Sequence, residues 1–179
     1  MARLDLELRQ LDFITIGTIG PKGQRVFHLQ AGQGGKLYTF VIEKEQAWAL
    51  GEALREFLDE LDQRLGSETR VEMAALDMEL REPILPLFRV AQMGLGYDAE
   101  DGLAVLVVQE LSSPSQQSAQ ADENYERDDE EDEAASEAGI VRMWTTRQQL
   151  RALSLQAMDT VEQGRPNPRM NGRITYYWT

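Results

Sequence analysis

Three short stretches near the start of the chain mix apolar and polar residues in strand-like patterns, and the first two are each closed by glycine. Asp12 to Ile19 carries Phe13, Ile14, Ile16 and Ile19, the aromatic and β-branched types that suit a strand. Gly20-Pro21-Lys22-Gly23 follows as a turn, because Pro presets φ and Gly accepts positive φ. Gln24 to Ala31 alternates, with Arg25, Phe27 and Leu29 on one face and Val26, His28 and Gln30 on the other. After the turn Gly32-Gln33-Gly34-Gly35, Lys36 to Ile42 sets Leu37, Thr39 and Val41 against Tyr38, Phe40 and Ile42. The three stretches predict an antiparallel meander.

The period then lengthens. From Glu43 to Leu65, Ala47, Leu50, Leu54, Phe57, Leu58, Leu61 and Leu65 step by three and four, the stripe of an amphipathic helix. Glu43 and Glu45 suit its positive N-terminal end, and Gly66 suits its C-cap. Gly51 inside the helix costs up to about 1 kcal/mol against Ala, so a close helix–sheet contact is expected there. Val71 to Leu80 fits either a short helix or a strand, and Glu82-Pro83 and Leu85-Pro86 break regular structure. Leu87–Met93 and Leu103–Leu111 read as strands joined by a Gly/Asp hairpin loop over 94–102. Ile140–Thr145 is a further strand. Thr146 with Gln149 forms a capping box, and Leu150, Leu153, Ala157 and Val161 stripe a second helix that Gly164 and Pro166 end.

Residues 12–65 therefore read β-β-β-α, and residues 87–163 read β-β-insert-β-α. The expected class is α+β: a tandem β-β-β-α pseudo-repeat of antiparallel sheets with two helices covering one face. Residues 1–111 hold the first unit and two strands of the second, 112–138 an insert, and 139–179 the last strand, helix and tail, all in one globular domain. The insert has ten acids, one Arg and almost no large apolar residue, so burial cannot offset its ordering entropy and disorder is expected.

Charge refines the division. The total of −13 splits into −8 over 1–111, −9 over the insert and +4 over 139–179. The acidic total argues against nucleic acid, although the tail is basic. No apolar run approaches the roughly 20 residues that span a bilayer, and Met1–Gln10 lacks the apolar core of a signal peptide. There is no cysteine, which removes disulfides and thiolate metal sites and agrees with a cytoplasmic location.

Few residues suggest catalysis. His28 is the single histidine and sits mid-strand, where a structural role is the expectation; no Gly-x-Ser-x-Gly turn accompanies it. Asp98, Glu100 and Asp101 cluster in a loop without the spacing of a calcium loop. The glycines of 32–35 precede a strand, whereas phosphate loops precede a helix. No catalytic residue, cofactor or metal is therefore assigned. The arginines are more suggestive. Arg147 and Arg151 share a helix face, and Arg165, Arg169 and Arg173 follow, giving five within 27 residues. Guanidinium forks match phosphate and carboxylate, although salt bridges to the acidic body are the plainer reading. Arg25, Lys44, Arg89, Arg147, Arg151, Arg165, Arg169 and Asn171 form the candidate site for an anion or a partner. Tyr176-Tyr177-Trp178 beside Arg173 adds a stacking surface.

Gly23-Gln24-Arg25-Val26-Phe27 with Leu29-Gln30, Glu43-Lys44-Glu45-Gln46, Trp144, Thr146-Arg147, Gln149-Leu150-Arg151-Ala152, Gly164-Arg165-Pro166 and Pro168-Arg169-x-Asn171-Gly172 together resemble the bacterial "domain of unknown function 3090" family. The resemblance spans nearly the whole chain apart from the insert. It implies a bacterial cytoplasmic protein, with a hint of a kinase-like protein partner and of phosphotransfer nearby, and no stated activity. The resemblance implies, for relatives, a Cys-rich, zinc-knuckle-like segment after Gly-Arg-Pro. Here Asn167-Pro168-Arg169 follows directly, so zinc does not carry over, and packing of Ile174, Tyr176 and Trp178 would have to hold the tail. The expected function is a non-enzymatic binding or adaptor protein. A small-molecule domain or enzyme for a phosphorylated or carboxylated ligand, and RNA binding through the tail, stay open as alternatives. Oligomeric state is not readable from the sequence.

Overall fold

The computed structural model describes residues 3–112 and 138–163. Seven strands form one sheet in the order β1-β7-β6-β5-β4-β3-β2. They are β1 (Asp5–Leu8), β2 (Phe13–Ile19), β3 (Val26–Gln33), β4 (Lys36–Ile42), β5 (Pro86–Asp98), β6 (Leu103–Glu110) and β7 (Ile140–Thr145). The helices are α1 (Lys44–Leu65) and α2 (Arg147–Gln163). The α+β class read from the sequence is therefore what the chain adopts.

β2, β3 and β4 form the expected meander, paired from Phe13↔Gly32 to Ile19↔Val26 and from Phe27↔Ile42 to Gln33↔Lys36. The β3–β4 turn narrows to Gly34-Gly35, both at positive φ, so Gly32 and Gln33 belong to the strand. β5, β6 and β7 form a second antiparallel set. The whole sheet is mixed, however, and not antiparallel throughout. β4 and β5 pair in parallel, because the chain leaves β4 through α1 and returns to the neighbouring position from the same end. β1 also pairs in parallel with β7.

Pattern reading missed β1. Its leucines and charges alternate with a period of two, which is the signature of a one-faced strand. Leu4, Leu6 and Leu8 turn toward the core, and Arg142 on β7 pairs with Asp5 at 2.6 Å. β5 also outruns its expected end. Gly94 to Asp98 stay in the ladder, opposite Val107 to Leu103, and only residues 99–102 turn. The glycines there look like loop residues, yet each simply lacks a side chain on an extended strand.

Both helices lie on one face and pack on each other, covering Ile14, Ile16, Leu29, Phe40, Leu106 and Met143. Leu54, Leu58, Leu150 and Leu153 are fully buried in this layer, each burial worth roughly 2 kcal/mol. Gly51 is buried for a reason other than the one expected. A Cβ there would lie 2.8 Å from Met158 Sδ and 3.4 Å from Ala157 Cβ, so the close neighbour is α2 and not the sheet. Ser154 Oγ donates to the Gly51 carbonyl at 2.8 Å across the same contact.

The stretch after α1 is neither the helix nor the strand considered for it. Apart from one 3-10 turn at Met73–Ala75, it is an irregular strap over the opposite face of the sheet. Thr15 Oγ1 donates to the Met78 carbonyl at 2.6 Å, and Gln30 grips Arg81 twice, through its carbonyl at 2.9 Å and its N–H at 2.7 Å. Leu80 rests on Gly17, and the Arg81 guanidinium sits 3.7 Å from the Phe13 ring centre. This cover explains why Thr15, Gln30 and Thr39 are buried although they point away from the helices. The expectation of disorder over the insert falls on 113–137, outside the described residues, as does the expected packing of the tail beyond Gln163.

Candidate functional site

Register brings together cations that are distant in sequence. Arg25 immediately precedes β3, and Phe27 lies opposite Ile42 at the end of β4. Lys44 opens α1 two residues later. The parallel β4–β5 pairing sets Arg89 beside Val41. Arg25, Lys44 and Arg89 thus meet at one end of the sheet, and with Gly23, Val26, Phe27, Ile42 and Glu43 they line a cleft of about 360 Å³.

Each cation has a different tie. Arg25 Nη1 donates to the carbonyl of Gln163 at 3.1 Å, capping the last turn of α2, where positive charge is favoured. Arg89 donates to Glu43 Oε1. Both side chains of that pair are about half exposed, 48% and 59%, so it contributes only about 0.2–1 kcal/mol. Lys44 makes no ion pair among the described residues. Gln46 Oε1 accepts the Glu43 N–H at 2.8 Å, which fixes where α1 begins and therefore where Lys44 sits. Three cations face one carboxylate, a local excess of two positive charges on a body that is otherwise acidic.

Arg147 and Arg151 go elsewhere. Both reach from α2 to Asp62 near the end of α1, with Arg147 Nη1 2.9 Å from Oδ1 and Arg151 Nη2 3.2 Å from Oδ2. Arg151 also pairs with Asp59 at 2.9 Å, and Arg147 donates to the Ser67 carbonyl and hydroxyl at 3.1 and 3.0 Å. Thr69 completes the node, donating to Asp62 through its N–H at 2.7 Å and its hydroxyl at 2.6 Å. Burial pushes the Asp62 carboxyl up, but the Thr69 hydroxyl and amide and then the two guanidiniums outweigh it, so the group sits below its ordinary value. An open depression of about 870 Å³ adjoins this node, lined by Asp59, Asp62, Glu68 and Arg151 among others. The arginines that line it, Arg70 and Arg151, already have carboxylate partners, so the node reads as a clamp between the helices.

Arg165, Arg169 and Asn171 lie outside the described residues. His28 is buried, with Nδ1 3.0 Å from the Val26 carbonyl; burial pulls its pKa down, partly opposed by that hydrogen bond. Asp98 Oδ1 accepts the N–H groups of Glu100 and Asp101, which closes the hairpin turn. No group of three or more carboxylates or histidines is placed to share a metal among the described residues. Nor is any helix there long and apolar enough to cross a membrane. Glu43 and Asp62 were not among the expected site residues. Their partners are 46 and 85 residues away, and no local pattern announces them.

The fold and cleft define a single-sheet α+β protein with a cationic cleft where the sheet, the start of α1 and the end of α2 meet. Residues 6–172 match the family described as "Protein of unknown function (DUF3090)", and the chain belongs to that family. No curated protein and no solved structure matches it. Two of the segments that carried the resemblance, Gly23–Phe27 and Glu43–Gln46, supply six of the eight residues that line the cleft.

Proposed function

We propose that the protein is a non-catalytic binding module that takes an anionic group, a phosphate or a carboxylate of a ligand or partner, in the cleft of Arg25, Lys44 and Arg89. The observation that carries this reading is the convergence of three cations from three elements on one concave surface with a single opposing carboxylate. Two further features support it. The cleft opens at the N-terminal end of α1, whose dipole adds to the positive field, while Arg25 offsets the opposite-signed end of α2 by capping the Gln163 carbonyl. Its volume of about 360 Å³ is at the small end of ligand pockets, which suits one charged group with a short extension better than a whole dinucleotide.

The test is ligand-dependent stabilisation at low salt. A ligand at ten times its dissociation constant stabilises by about 1.4 kcal/mol, which for a chain of this size raises Tm by roughly 3–6 °C. The expected result is such a rise with phosphate or citrate in the wild type, and none in the Arg25→Gln/Lys44→Gln/Arg89→Gln variant. An equal rise in both proteins would place the binding elsewhere and overturn the reading.

A further inference from the structure

The cleft already contains one anion of its own. Glu43 is the residue before α1, and its Oε1 accepts from Arg89, so the resting site presents Arg89 with a carboxylate partner. An incoming carboxylate would offer Arg89 nothing that Glu43 does not, and Glu43 has the advantage of being tethered in place. A phosphate monoester differs in two ways. It brings close to two negative charges, which match the excess of two positive charges left when Glu43 is counted. Its three terminal oxygens can also accept from Arg89, Lys44 and Arg25 together, whereas a carboxylate has two.

We infer that the ligand of this cleft is a dianionic phosphate group and that Glu43 is a resident competitor which the phosphate displaces from Arg89. The inference rests on the anion-binding reading and sharpens it: Glu43 sets the threshold that excludes singly charged carboxylates. Because the Glu43–Arg89 pair is half exposed, displacing it is cheap, and removing the Glu43 charge tightens phosphate binding roughly 1.4- to five-fold.

The experiment is titration of the full chain with inorganic phosphate, sulfate and acetate at low ionic strength, followed by calorimetry, in the wild type and in Glu43→Gln. Glu43→Asn is the second variant, since Asn is a favoured residue at the start of a helix and keeps α1 in register. At pH 8 phosphate and sulfate bind and acetate is at least ten-fold weaker. Both Glu43 variants tighten phosphate. At pH 5.5 phosphate, now mostly singly charged, weakens, while sulfate, doubly charged throughout, does not. Separate titrations with a sugar phosphate and a phosphoserine peptide tell a small metabolite from a protein-borne phosphate. Unchanged or weaker phosphate binding in both Glu43 variants, or acetate as tight as phosphate, overturns the inference while leaving the anion site standing. If none of the three proteins binds phosphate, sulfate or acetate, the anion-binding reading itself falls.

Discussion

Asp62→Asn tests the clamp between the helices. The substitution keeps the shape of the side chain and removes its charge. In the native protein this carboxylate is about nine-tenths buried and accepts four hydrogen bonds, two from Thr69 and one each from Arg147 and Arg151. The two guanidiniums are themselves only 23% and 15% exposed, so both lose a counter-charge in a poorly solvated place. Breaking a fully buried pair from one side costs about 3–5 kcal/mol. Arg151 keeps Asp59, and Arg147 keeps the Ser67 carbonyl and hydroxyl, which lowers the expected loss to about 2–3 kcal/mol. For a chain of 179 residues that is a drop in Tm of roughly 5–10 °C. Urea denaturation at pH 7 gives the difference directly, and repeating it at lower pH fixes its origin. The carboxyl titrates below its ordinary value in the folded protein, so its contribution is complete above the unfolded pKa, near 4, and disappears as pH falls through the folded value. The gap between wild type and variant is therefore constant from pH 7 to 5 and closes under more acidic conditions. A loss below about 0.5 kcal/mol at pH 7 would refute the clamp, given the size expected for a charge in this setting.

Other positions give equally definite expectations. His28 is held below its ordinary pKa by burial, so the unfolded chain takes up the proton first, and stability falls as pH drops from about 6.5 toward the folded value. A His28→Gln variant loses that slope in denaturation curves between pH 7 and 5. At Gly32 an added Cβ would lie 2.2 Å from the Phe13 ring, so Gly32→Ala costs about 2 kcal/mol or more by chemical denaturation. At Gly51 the obstacle is mainly the flexible thioether of Met158, and a gain of up to about 1 kcal/mol in helix propensity opposes it, so Gly51→Ala stays within about 1 kcal/mol of wild type. Gln30→Ala releases both ties to Arg81, and limited proteolysis then cuts faster within residues 76–85.

What pattern could deliver depended on how local each cause was. α1 is legible because its stripe, its Gln46 cap and its Gly66 terminator all lie in one continuous segment. Residues 24–42 are legible because alternation and paired glycines specify a hairpin. β1 shows only a short alternation of leucine and charge, and what makes its four residues a strand is their partner on β7, more than 130 residues away. The strap was illegible for a similar reason. Its shape is set by Thr15, Gln30 and Phe13 beneath it, not by a period of its own. Among the candidate residues, chemistry named cations but could not sort them. Arg147 and Arg151 look like a binding pair because they stand four apart on one helix face; the structure gives both to Asp62. Arg25, Lys44 and Arg89 look scattered, and only the β3–β4–β5 register makes them neighbours.

An amide NMR titration of the full chain with inorganic phosphate interrogates the anion-binding cleft residue by residue. Binding in the cleft gives saturable shifts in the N–H signals of Gly23 to Phe27, Lys44 and Arg89, with Arg147 and Arg151 unmoved. Shifts centred on Arg147, Arg151 and Thr69, or no saturable shift at any residue, would contradict it.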